Sequence, residues 1–338
     1  MRLKQHLFLI LVFSAILAGA AGYFSFEIIR FSRTGFHPGM PGKDILIAPG
    51  SNLKSIAEEL ENQGIISNRL YFIILAKLKR ADKKIQAGEY VFSGADTPEH
   101  ILDTLIRGRV KLYRLTIPEG LSMYETASLV ENSGMCSAKK FIQLCCDVKF
   151  IHSLGITGLT LEGYLFPDTY FFSGHTKCAK IIRVMVEHFK KVFRPEWRAR
   201  ARSMGFTVGQ IVTLASMIEK ETGASFERPL ISSVFHNRLK RHMRLESDPT
   251  VIYGIKDFDG NIRKKDLKTR TPYNTYQIAG LPAGPIASPG AQSLKAALYP
   301  ADTDFLFFVS KNDSTHKFSR TIKEHNLAVK KYQLRHRR

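Results

Sequence analysis

From Leu7 to Phe26 the chain runs twenty residues without a charged side chain, with Arg2 and Lys4 before the run and Glu27, Arg30 and Arg33 after it. At about 1.5 Å of rise per residue, such a helix spans a hydrocarbon layer of roughly 30 Å. Two readings compete, a transmembrane anchor and a cleaved signal peptide, the second because small residues cluster at Ala18, Gly19, Ala20 and Ala21. A signal peptide's apolar stretch is usually about 7–15 residues, and this one continues past the small cluster, which favours the uncleaved anchor. Both readings export residues 34–338. Basic residues flank both ends, so the shortness of the leader, not its charge, makes an N-in anchor the simpler topology: tail 1–6, anchor 7–26, linker 27–43.

No second run approaches spanning length, so the remainder reads as soluble protein, and 338 residues suggest roughly two domains. With 23 Phe and 12 Tyr the chain is too rich in apolar surface to be mainly disordered. The formal charge of +20 favours polyanionic surroundings. Export argues against nucleic acid as the partner, and the basic residues are spread out. Residues 177–202 hold nine Lys/Arg against two Glu, and 317–338 hold eight against one, as solvated helix faces and a basic tail do. Cys136, Cys145, Cys146 and Cys178 share one segment; one disulfide suits an exported chain, but adjacent Cys145 and Cys146 match no common metal-ligand spacing.

Beyond the Gly/Pro-rich stretch 32–42 the sequence repeats itself. Residues 47–67, beginning Ile47-Ala-Pro-Gly50, lie on 117–137, beginning Ile117-Pro-Glu-Gly120, without a gap and with seven of twenty-one positions identical. Each copy reads as a strand, a Gly turn, a helix with mostly apolar residues at helical spacing, and a left-handed glycine end at Gly64 or Gly134, followed by a second helix. The parallel extends to Gly88–Phe92 and Gly163–Phe166, each ahead of a helix; Thr97-Pro98-Glu99 starts the first of these. Residues 44–112 therefore form a small α+β module, and 113–200 a second, repeat-like region.

The C-terminal part, 201–338, reads differently. Thr207-Val-Gly-Gln210 has the form of a capping box and opens a helix Ile211–Thr222 ending at Gly223. A helix over about Glu227–Met243 follows, then a short one opened by Ser247-Asp248-Pro249-Thr250. Residues 271–290 form a long Pro/Gly-punctuated loop with interleaved aromatics, a pattern that points to function. A hairpin over Phe305–Ser310 and His316–Ser319 and a basic helix close the chain.

The sequence has no phosphate loop, zinc helix or serine elbow, so carboxylates remain as the reactive groups. Glu219 and Glu221 lie in the last turn of the Ile211 helix. The negative end of a helix dipole raises a carboxyl pKa, the direction a general acid needs, and Glu221 is nearer that end. Helical phase separates the two poorly, as both flank the stripe Ile211, Leu214, Ala215 and Ile218.

Five motifs now carry a resemblance. They are Leu161-Glu-Gly-Tyr-Leu-Phe-Pro-Asp-Thr-Tyr170, Ala215-Ser-Met-Ile-Glu-Lys-Glu-Thr222, Ser233-Val-Phe-His-Asn-Arg-Leu239, Met243-Arg-Leu-Glu-Ser-Asp-Pro-Thr-Val-Ile-Tyr-Gly254, and Tyr273-Asn-Thr-Tyr276 followed by Gly280-Leu-Pro-Ala-Gly-Pro-Ile286. Together they closely resemble the YceG-like (MltG) family of endolytic murein transglycosylases, over essentially residues 1–335. The resemblance implies an α+β fold: an anchor, LysM-like peptidoglycan-binding portions and an α+β catalytic domain. It implies Glu221, the Glu directly before Thr, as the catalytic acid. Substrate-binding roles are expected for Tyr273, Asn274, Tyr276, Glu246, Asp248 and Tyr253, although Asp248 as helix cap and Tyr253 as core residue stay open. Arg238 and Arg244 are open between pairing with substrate carboxylates and surface ion pairs. Glu162 and Asp168 read as architectural. Two residues depart from the family's pattern: Glu246 stands where Gln is usual, and Ala283 where Pro is.

The implied reaction needs one acid where ordinary glycosidases use two carboxylates. Glu221 would protonate the glycosidic oxygen between N-acetylmuramic acid and N-acetylglucosamine while the substrate's acetamide stabilises charge at C1. The resulting carboxylate would take the proton of the muramoyl 6-hydroxyl, which closes a 1,6-anhydro ring. No metal or cofactor is expected. The expected partners are peptidoglycan glycan strands, the inner (cytoplasmic) membrane of a bacterium and peptidoglycan synthases, with no nucleic acid. Two alternatives stay open: a non-catalytic peptidoglycan-binding scaffold, and a hydrolytic muramidase pairing Glu221 with Glu246.

Overall fold

The computed structural model describes residues 2–256 and 258–334; the last four residues of the expected basic tail, and Met1 of the expected leader, lie outside them. Two compact units divide the chain. One comprises the residues up to 113 with 171–175, the other 114–170 with 176 onward.

In the first unit, helix α1 (Arg2–Arg33) carries the apolar run. Gln5–Arg33 is long and apolar enough to cross a membrane. The helix continues through residues 27–33, assigned above to the linker, because Ile28 and Phe31 are buried and Phe31 and Phe24 set their rings edge-on against Tyr71. The rest of the stretch also packs: the His37 N–H donates to Gly94 O at 2.9 Å. Strand β1 (Lys43–Ile47), helices α2 (Leu53–Asn62) and α3 (Arg69–Leu78), strand β2 (Gly88–Phe92) and helix α4 (Pro98–Arg107) make the α+β module. β1 and β2 pair antiparallel, Ile45 opposite Tyr90, so that one face of the ribbon covers the core of Ile56, Leu60, Phe72, Ile101 and Leu105.

The second copy is strand β3 (Leu112–Ile117), helices α5 (Met123–Asn132), α6 (Ala138–Cys145) and α7 (Val148–Ser153), strand β4 (Asp168–Ser173), paired with β3, and helix α8 (Cys178–Val192). The glycines expected to end α2 and α5 do take left-handed conformations, at φ 72° for Gly64 and 74° for Gly134. The second strand departs from expectation. Residues 163–166 are not a strand; the counterpart of Gly88-Glu-Tyr-Val-Phe-Ser-Gly94 is Asp168-Thr-Tyr-Phe-Phe-Ser-Gly174, identical at four of seven positions. Both tyrosines donate to the carbonyl four residues back, Tyr90 to Gln86 at 2.7 Å and Tyr170 to Phe166 at 2.5 Å. An offset that grows from 70 to 80 residues hid this match, and α7, which has no counterpart in the first copy, supplies the insertion. A disulfide joins Cys136 to Cys178 at the start of α8, while Cys145 is buried and Cys146 exposed, both free.

Helix α9 (Pro195–Ser203) leads to α10 (Val208–Glu221), whose residues 211–218 are buried on every side. The capping box at Thr207 and Gln210 forms as read. Helix α11 (Arg228–Lys240) begins after a 3-10 turn; α12 (Asp248–Tyr253), α13 (Lys264–Lys268) and α14 (Ala291–Leu298) follow. The antiparallel hairpin β5 (Phe307–Ser310) and β6 (His316–Ser319) precedes α15 (Ile322–Val329). Gly163 admits no side chain, because a Cβ there would lie 2.6 Å from Pro285 and 2.8 Å from Val212, and its φ is 83°. That close approach locks the Leu161-Glu-Gly motif between α10 and the 271–290 loop.

Candidate active site

Residues 211–218 of α10 are wrapped by core, and its two carboxylates, Glu219 and Glu221, lie in the turn just beyond them. They stand two residues apart, about 200° around the helix, and face different partners. Glu219 goes inward to Arg228 (3.1 Å) and accepts the Gly290 N–H (2.9 Å), so both its oxygens are engaged in packing. Glu221 is the final helical residue, since Thr222 is extended at φ −148° and ψ 138°. Its half-buried side chain meets a cleft of about 350 Å³. The Ser247 hydroxyl donates to Glu221 Oε1 at 2.5 Å, and among the described residues none bonds Oε2, the oxygen able to carry a proton. Burial, with Asp248 adding to it, pushes the Glu221 carboxyl up to about 7 against the opposing effects of the Ser247 bond and Arg238. Desolvation, not the helix end, is thus the main cause.

Three of the six expected binding residues share this cleft. Tyr276 donates its hydroxyl to Asp248 Oδ1 at 2.7 Å, and Glu246 accepts from Arg238 Nη1 at 3.1 Å. Asp248 is the first residue of α12 rather than its cap. Ser247 holds the cap position but makes no side-chain capping bond, because its hydroxyl is on Glu221. Glu246 sits at φ 51°, an uncommon conformation for a residue with a side chain.

The other three are elsewhere. Asn274 is buried, and its amide donates to the carbonyls of Asp266, Leu267 and Thr269 while its Oδ1 accepts the Tyr276 N–H. It shapes the loop and has no amide proton left for a sugar. Tyr253 and Tyr273 pack ring to ring at 4.8 Å, and the Tyr253 hydroxyl donates to Glu162 Oε2 at 2.9 Å. Glu162 is 1% exposed and also accepts the Met123 and Gly163 N–H groups; burial nonetheless lifts it to about 7. It ties the second repeat to α12, as its architectural reading has it.

Arg238 is no surface ion-pair residue. It is buried, with Nε on Leu306 O and Nη1 on Arg244 O, Leu245 O and Glu246, so it clamps the 244–246 turn to the hairpin strand. Arg244 donates to Tyr276 O. Sequence reasoning missed the far wall: Phe308, Ser310, His316, His325 and Gln333 come from the hairpin and the terminal helix. No motif marks them, although the hairpin itself was legible. Ser247 reads in sequence only as part of the motif that opens α12, and its unused capping bond is what shows the other role. Among the described residues no three His, Cys, Asp or Glu side chains converge as metal ligands do.

Comparison with known proteins covers most of the chain. The YceG-like family model matches residues 45–331. The chain is 33% identical over 305 residues to the endolytic murein transglycosylase of Bacillus subtilis (strain 168), covering 86% of this chain and 84% of that protein. It is 30% identical over 332 residues to the protein of the same name from Streptococcus pneumoniae serotype 2 (strain D39), covering 89% of this chain but only 60% of the longer relative. A crystal structure of a yceG-like protein from Listeria monocytogenes superposes with a TM-score of 0.59 at 31% identity, over 85% of this chain and 98% of that one. The mixed α+β fold, the five motifs and these matches agree that the chain belongs to the YceG-like family.

Proposed function

We propose that the chain is an endolytic peptidoglycan lytic transglycosylase that cleaves the bond between N-acetylmuramic acid and N-acetylglucosamine and leaves 1,6-anhydro ends. The relatives' names support the reaction class. The observation that carries the chemistry is Glu221: a carboxyl held near neutrality by burial, one oxygen fixed by Ser247 and the other facing a cleft. A group poised there is protonated often enough to donate to a leaving oxygen and ionised readily enough to take the 6-hydroxyl proton afterwards. Tyr276, through its ring, and Asp248 and Glu246, as acceptors at the cleft, bind sugar hydroxyl and amide groups. Glu246 is engaged by Arg238, which disfavours it as the second carboxylate of a hydrolase.

Helix α1 anchors the protein in the inner membrane with the remainder outside the cytoplasm, and the β-α-α-β order of 44–112 supports its reading as a LysM-like glycan-binding module. The region 113–200 is a second, repeat-like connecting region and 201–338 is the catalytic domain. In that setting the partners are nascent glycan strands, the bilayer and the peptidoglycan synthases, and cleavage ends strand elongation. The test is mass spectrometry of long glycan strands digested by the full chain in detergent; truncation at residue 34 would strip Phe31 from the module's core. Internal fragments ending in anhydro-muramoyl are expected. Reducing ends would show a hydrolase, and binding without cleavage a scaffold.

A further inference from the structure

The far wall of the cleft holds a buried pair that the proposed chemistry does not use. Glu227 closes the 3-10 turn Ser225–Glu227, shortly after Glu221, and stands at the cap position of α11. A carboxylate suits a helix start, yet this side chain makes no capping bond. It reaches instead to the first residue of β6. Its Oε1 accepts the His316 backbone N–H at 2.8 Å, and its Oε2 accepts from His316 Nδ1 at 2.7 Å. The Glu227 side chain is 3% exposed and that of His316 12%. A carboxylate buried to this degree is costly unless it is strongly bonded, and both of its oxygens are spent on one residue.

A carboxylate only accepts, so Nδ1 of His316 carries the ring proton, and in the neutral ring Nε2 is then a bare acceptor. Nε2 bonds nothing among the described residues and is not closed off by packing, while the ring lines the same cleft as Glu221. The ring stands edge-on to Phe308, centroids 5.4 Å apart, which limits its rotation. Holding the hairpin needs only the backbone bond to Glu227. The second bond, to the ring, fixes which nitrogen is protonated and which is left to the cleft. The donors that a glycan brings to such a nitrogen are its hydroxyls. With Glu246, Asp248 and Tyr276 on one side of Glu221 and His316 on the hairpin side, a strand crossing the cleft meets polar groups from both walls.

We propose that His316 is a substrate-binding residue that accepts a hydrogen bond from a sugar hydroxyl through Nε2, and that Glu227 is its positioning residue. The inference rests on the transglycosylase reading for its choice of ligand. Two substitutions separate the two edges of the ring. His316→Asn places an amide N–H where Nδ1 stood and keeps the tie to Glu227, but leaves nothing at Nε2. His316→Gln reaches the position of Nε2 and gives up the tie. In steady-state cleavage of peptide-free glycan strands by the full chain in detergent, His316→Asn is expected to raise KM about fivefold, which corresponds to about 1 kcal/mol for one hydrogen bond. Its kcat should stay within about twofold of the wild type, as for a contact made equally in the ground and transition states, and its melting temperature should be unchanged. His316→Gln should melt lower and yet show a KM nearer the wild type. The same order is expected in Kd, measured calorimetrically in a Glu221→Gln background with a tetrasaccharide of alternating N-acetylglucosamine and N-acetylmuramic acid. Wild-type KM and Kd in His316→Asn, or losses that follow the melting temperature so that His316→Gln is the worse of the two, would overturn the proposal and leave the pair as a hairpin tie alone. A wild type that yields no anhydro ends, with tetrasaccharide binding still weakened by His316→Asn, would fail the cleavage reading and uphold this one.

Discussion

As the proposed acid, Glu221 would act only while protonated, so activity is expected to be full below pH 7 and to fall as pH rises through about 7, the value its burial sets. Ser247 donates to the ionised form and holds that value down. Ser247→Ala should therefore move the alkaline limb of the kcat/KM profile upward in pH and lower its plateau about tenfold, near the net worth of one hydrogen bond to a charged group. A pH–rate series on both proteins checks it, and a limb that stayed in place or moved down would contradict the geometry. Glu246 gives a second test at this scale. If it is a binding residue clamped by Arg238, Glu246→Gln keeps anhydro products and changes KM within about tenfold; loss of cleavage would return it to the chemistry.

At the scale of elements, the site is the end of one buried helix met by one irregular loop. The loop owes its shape to Asn274, whose amide bridges three carbonyls and whose oxygen holds the Tyr276 backbone. Asn274→Ala should leave those carbonyls unsatisfied, cost about 2–4 kcal/mol of stability, and raise KM as Tyr276 loses its place. Asn274→Asp should not rescue it, since a carboxylate donates nothing; thermal melts and steady-state kinetics decide. Much of this architecture was legible beforehand, because capping boxes, glycine ends and hairpin turns are local chemistry. Asn274 was misassigned because a buried amide that knits a loop and an exposed one that binds sugar look alike in sequence. The strand 168–173 was displaced because a ten-residue insertion broke the register of the repeat. The far wall of the cleft stayed unseen because His325 and Gln333 reach Glu221 only through the return of the chain after the hairpin.

Across the molecule, Glu162 and Glu221 both carry raised carboxyls, and both act on stability in one direction. A carboxyl lifted from 4.5 to about 7 on folding keeps its proton in the native state where the unfolded chain has lost it, so stability declines as pH rises from about 4.5 to about 7 and then levels. For the fully buried Glu162 the decline is on the order of 3 kcal/mol. Glu162→Gln should flatten the dependence of the melting temperature on pH between those limits, even though the variant is less stable overall. A slope unchanged by the substitution would place the proton elsewhere. In the proposed reaction one carboxyl does both proton transfers and water is no reactant. The measurement that addresses it most directly is digestion of glycan strands in ¹⁸O-enriched water by wild type and Glu221→Gln, with mass spectrometry of the new ends. Anhydro ends without ¹⁸O are expected from the wild type, with cleavage reduced by at least about a thousandfold in the variant. One ¹⁸O at each new end, or cleavage that survives Glu221→Gln, would contradict it.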